Sequence, residues 1–107
     1  MKGIYLINEG RYHNFESKSH CKSLIRSFLK ANQIQTVKLN SNQLNDYYTI
    51  PHALLYDLKQ AKMLLDYLVI YSNQDVNEFI YMYPAKWVLL KSYFSEVVFV
   101  EEQRISG

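Results

Sequence analysis

Apolar residues recur along this chain in two rhythms, and the switches between them delimit its elements. Lys2-Gly3-Ile4-Tyr5-Leu6-Ile7-Asn8 is a short apolar run that predicts a buried strand, and the polar stretch Asn8–Asn14 predicts the loop that leaves it. Between Glu16 and Asn32, Cys21, Leu24, Ile25, Phe28 and Leu29 fall at i, i+3, i+4, i+7 and i+8, the face of an amphipathic helix. Gln35–Leu39 alternates and predicts a second strand, followed by a polar loop over Asn40–Tyr48. Thr49 and Pro51 signal the start of a second helix, whose buried face is Leu54, Leu55, Leu58 and Ala61. Asp66–Ser72 is apolar enough for a central strand.

Two readings remain open for Phe79-Ile80-Tyr81-Met82-Tyr83: a strand returning in a hairpin through Asn73-Gln74-Asp75, or a helix capped by Asp75 and interrupted by Pro84. Proline suits a first helical turn, so a further helix is expected over Pro84–Phe94, with Trp87, Leu90 and Phe94 inward. Glu96–Glu101 closes the pattern as a strand. Strands alternating with helices predict the α/β class: a single small domain over 1–107 with a mostly parallel four- to five-stranded sheet flanked by helices. Ligand sites in such sheets lie at the carboxyl ends of the strands, here residues 8–13, 40–45, 72–77 and 101–104.

Composition narrows the picture. A chain of 107 residues is too short for two independent cores, and 49% apolar against 21% charged residues is a folding composition. Cys21 is the single cysteine, so no internal disulfide forms; no secretory pattern or span of roughly 20 apolar residues occurs. A cytoplasmic protein that does not enter the membrane is expected. Three glycines against ten tyrosines argue against a glycine-rich phosphate cradle, and no cofactor is expected.

Candidate chemistry is sparse. None of His13, His20 and His52 has a second histidine or a cysteine at helical ligand spacing, and adjacent His20 and Cys21 diverge by about 100° on a helix, so no metal site is expected. Cys21 lies in the apolar stripe of the first helix, and Ser17, Ser19, Ser23 and Ser27 lack the glycine-flanked turn that exposes a nucleophile. Glu9, Asp66 and Asp75 fall near strand ends, where they serve caps and turns or approach one another. The pattern that stands out is basic: Lys18, Lys22, Arg26 and Lys30 recur every four residues and wind into one ridge beside the buried face of the first helix. That ridge is the candidate partner-binding surface.

Tyr5-Leu6-Ile7-Asn8-Glu9 and Asp66–Ser72, taken with the order of strands and helices, resemble the catalytic domain of serine recombinases, the resolvase and invertase family. That family's first strand has the form Tyr-x-Arg-x-Ser, and its third ends in an Asp-Arg pair. Here Ile7 stands in the place of the arginine, Glu9 in that of the nucleophilic serine, and Asn73-Gln74-Asp75 replaces the residues leading to the catalytic arginine. Strand transfer needs those groups for attack and for stabilising the phosphoryl transition state. The resemblance therefore implies an inactive relative, truncated before the family's dimerisation helix and DNA-binding domain.

The functional expectation is a non-enzymatic regulatory or protein-interaction module, encoded by a phage or mobile element, with no catalytic residue and with Lys18, Lys22, Arg26 and Lys30 facing a protein partner. Two alternatives stand beside it: a nucleic-acid-associated accessory factor of recombination or replication, and a small hydrolase or nuclease using strand-end acids and His13. A homodimer through an exposed edge strand is compatible with all three.

Overall fold

The computed structural model describes residues 1–11 and 14–101. His13 and residues 102–104 of the expected strand-end sites lie outside the described residues. The elements are β1 (Lys2–Leu6), α1 (Phe15–Ala31), β2 (Gln35–Thr36), α2 (Pro51–Ala61), β3 (Leu65–Ile70), α3 (Asn77–Met82), α4 (Pro84–Lys91) and β4 (Phe94–Phe99). The strands form one sheet in the order β2-β1-β3-β4, all pairs parallel, with Leu6 opposite Ile70 and Ile70 opposite Phe99. Helices cover both faces, α1 on one and α2, α3 and α4 on the other.

This layering explains the unbroken apolar run in β1. Ile4 and Leu6 point into the cluster beneath α2 and α4, Tyr5 and Ile7 into the one beneath α1, and all four are at most 1% exposed. A strand covered on both sides has no polar face to alternate with. Gly3 is fixed by crowding: a Cβ there would stand 2.8 Å from Ile34 Cγ2 and 2.9 Å from the Tyr67 carbonyl oxygen of β3.

Helix boundaries have local causes. The Asn14 side chain accepts the Ser17 amide at 2.8 Å and caps α1, which ends where Gln33 takes a left-handed φ of 56°. Pro51 opens α2, and Lys62, with φ 51°, closes it.

Of the two open readings for Phe79–Tyr83 the structure has the helix, Asn77–Met82, which stops before Pro84 and packs Phe79 into the core. The structure departs from the sequence-based expectations at the bounds of α4, β4 and β2. Ser72 and Asp75 form a capping box around a single 3-10 turn, so Asn73-Gln74-Asp75 turns the chain into α3 instead of back along β3. α4 stops at Lys91, which hands Phe94 to β4 while leaving it buried, and β4 begins two residues earlier than expected. β2 pairs over Gln35–Thr36 alone, although Val37 and Leu39 still pack on the core. The outer edge of β4 pairs with no other described strand.

Candidate binding surfaces

Beyond β2 the chain loops out and returns at Tyr47-Tyr48 beside the end of β1. The Ile7 amide donates to the Tyr48 carbonyl at 2.9 Å and the Tyr48 amide to the Tyr5 carbonyl at 3.0 Å. Extended pairing sends the two tyrosines to opposite faces. Tyr48 joins the α2 side, where its hydroxyl donates to Asp57 Oδ2 at 2.6 Å. Tyr47 joins the α1 side and stacks on Tyr5 with ring centroids 5.4 Å apart.

That placement puts phenols and carboxylates against the basic ridge of α1. Tyr47 donates its hydroxyl to Glu9 Oε1, and the same oxygen lies 2.8 Å from Lys18 Nζ. One turn on, Lys22 Nζ stands 4.3 Å above the Tyr47 ring. A further turn on, Arg26 stands near enough to the Tyr5 hydroxyl to interact with it electrostatically, and that hydroxyl donates to Asp46 Oδ1 at 2.9 Å. Lys30 lies in the last turn, where its charge complements the helix dipole.

The ionisation of these groups follows from their contacts. The Lys18 hydrogen bond, helped by Tyr47, holds Glu9 below the usual carboxylate range, and Glu9 in turn raises Lys18. Burial, reinforced by Asp46 and opposed by Arg26, pushes the Tyr5 phenol up to about 12. Tyr47 is raised by burial and then by Glu9, Tyr48 by burial and then by Asp57. The Tyr5 contact raises Arg26.

The four ridge residues therefore divide. Lys18 is spent in an ion pair with Glu9, whereas Lys22, Arg26 and Lys30 border a shallow groove of about 340 Å³ completed by Ser19, Ser23 and Ser27. Cys21 is buried, and His20 is exposed on α1. The three strand-end acids do not converge: Asp66 accepts the Lys2 amide at 2.8 Å where β3 begins, whereas Glu9 and Asp75 follow the ends of β1 and β3. Among the described residues no group of three His, Cys, Asp or Glu side chains is placed to hold a metal ion.

Sequence reasoning missed Tyr5, Asp46 and Tyr47 as parts of the ridge. The available signal was a pair of large aromatics, Tyr47-Tyr48, at the end of an otherwise polar loop. A crevice of about 320 Å³ opens between the carboxyl ends of β1 and β3, where the sequence pattern places strand-end sites over residues 8–13 and 72–77; Asn8 and Asp75 line it, and sequence reasoning missed its other walls, among them His52, Glu78, Phe79, Met82 and Tyr83. There the His52 ring meets Phe79 and Tyr83 edge-on, with centroids 4.9 and 4.6 Å away.

The positions that carry the recombinase resemblance have structural occupations. Ile7 is fully buried in the α1-side cluster, Glu9 is bound to Lys18 and Tyr47, and Asn73-Gln74-Asp75 forms the turn into α3. No helix among the described residues is long and apolar enough to cross a membrane. No family model, curated protein or solved structure matches the chain, so the use of these surfaces has to be argued from their own residues.

Proposed function

We propose that this protein is a non-enzymatic interaction module that holds an acidic segment of a partner protein along the α1 groove. The observation that carries the reading is the alignment of Lys22, Arg26 and Lys30 along one concavity, interleaved with the hydroxyls of Ser19, Ser23 and Ser27. Cations four residues apart on a helix are about 6 Å apart along its axis. Alternate residues of an extended strand are about 6.8 Å apart, so an extended segment with acidic side chains at every second position suits the ridge.

The groups already seated against the ridge point the same way. Carboxylates and phenols of this chain meet Lys18, Lys22 and Arg26, and those contacts hold the cations in place before a partner arrives, which lowers the ordering cost of binding. A nucleic acid suits the surface less well. The net charge of +2 supplies little long-range attraction for a phosphate backbone.

The same proposal extends to an inactive relative of the resolvase and invertase catalytic domain, kept by a phage or mobile element as a small regulator. The order strand, helix, short strand, helix, strand supports it, as does the occupation of Ile7 and Glu9 by packing and ion pairing.

The test is affinity capture from the native host with the parent chain and with the double variant Lys22→Gln/Lys30→Glu. Arg26 is left alone because reversing it would set a carboxylate against Asp46 and confuse lost binding with lost fold. Retention of an acidic protein by the parent and its loss from the variant, with thermal unfolding within a few degrees, is the expected result. Equal retention by both removes the groove, and retention abolished by nuclease transfers the groove to nucleic acid.

A further inference from the structure

We infer that the crevice at the carboxyl ends of β1 and β3 is a second binding site, for an organic cation: an amine or guanidinium on a short apolar body. This inference is independent of the α1 groove.

Its position is the first support. β1 sends the chain through α1 to β2 on one side, and β3 sends it through α3 and α4 to β4 on the other, so the two connections diverge and leave a gap above the sheet. Parallel sheets take their ligands at such reversals. At about 320 Å³ the crevice is at the small end of ligand sites, enough for one side chain or a small amine.

Its walls select the chemistry. Phe79, Met82 and Tyr83 supply a polarisable apolar surface, with His52 held edge-on to both aromatic rings. Aromatic faces attract cations, and Lys86 Nζ already lies 5.0 Å from the Tyr83 centroid at the rim. Among the described residues no lysine or arginine lines the crevice, Lys86 standing at the rim outside it, and Glu78, exposed in the first turn of α3, presents a carboxylate at its mouth. Asn8 Nδ2 donates only weakly, at 3.4 Å, to the Asp75 carbonyl, so the N–H of a cationic ligand can take its place on that carbonyl oxygen. An aromatic wall with a carboxylate at its mouth attracts a cation, and a carboxylate ligand would meet Glu78 as a like charge.

The test is amide NMR titration of the whole chain with three probes: benzamidinium, N-acetylarginine amide and, as the charge-reversed control, benzoate. Saturable shifts of Asn8, His52 and Phe79 with either cation and none with benzoate are expected. Glu78→Gln should weaken the cation about tenfold, the worth of one charge-assisted contact. Met82→Lys, at an exposed position, should fill the crevice with its own ammonium and abolish the shifts. Tighter binding of the blocked arginine identifies a partner's side chain as the source, and tighter binding of benzamidinium a free small molecule. Absence of shifts with both cations, equal affinity for benzoate, or an affinity unchanged by Glu78→Gln overturns the inference.

Discussion

Alkaline pH probes the packing that holds the ridge, through Tyr5. Its side chain is fully buried and donates to Asp46 at 2.9 Å, and its phenol is pushed up to about 12. A group whose folded value is raised above its unfolded value of about 10 contributes stability that is complete below pH 10. That stability is lost as pH rises towards the folded value. At pH ~11 linkage gives a loss of about 1.4 kcal/mol from this residue, with almost none at pH ~9. Tyr5→Phe removes the titration together with one hydrogen bond, a cost of about 1 kcal/mol at pH ~9. Urea unfolding of both proteins should therefore show the variant less stable at pH 9 and the gap closed at pH 11. Other tyrosines and lysines titrate in both proteins, so the difference between them isolates Tyr5. A gap that is the same at both pH values would refute the raised phenol that burial, reinforced by Asp46, gives Tyr5.

Further outcomes follow from the packing and the ion pair. Gly3→Ala should cost about 1–3 kcal/mol in urea unfolding, because the Tyr67 carbonyl that its Cβ meets belongs to a paired strand and cannot turn aside. Leu58→Ala, at the fully buried face of α2, should cost about 2–5 kcal/mol by the same measurement. Glu9→Gln should destabilise the chain at neutral pH. Because the folded carboxyl is lowered by Lys18, that contribution is present above the unfolded value and lost as pH falls through the folded one, so acid titration should bring the two proteins together.

The alternation of periods was enough to read the order of elements and the buried faces of α1 and α2, because the spacing of Cys21, Leu24, Ile25, Phe28 and Leu29 is a property of one segment alone. Phe79–Tyr83 was ambiguous for the opposite reason. Its aromatic and β-branched residues suit either conformation, and the choice was made by the Ser72–Asp75 box upstream, which aims the chain over the sheet. The ridge was legible as a ridge, but its division was not. Tyr47 reaches Glu9 and Asp46 reaches Tyr5 only because the chain folds back beside β1, through a bridge between Leu6 and Tyr48, 42 positions apart. The strand-end position of the crevice was legible, but its walls were not, since His52 and Phe79 meet Asn8 only through the sheet's crossover.

Occupation of the α1 groove is the central claim, and site-specific photo-crosslinking in the native host reads it most directly. A photoreactive residue replaces Ser23, in the groove, and in a second protein Gln60, exposed on α2 on the other face of the sheet. The account predicts one discrete protein adduct from position 23, absent from position 60 and lost when Lys22→Gln and Lys30→Glu are added. A nucleic-acid adduct, adducts of equal yield from both positions, or no adduct at position 23 would contradict it.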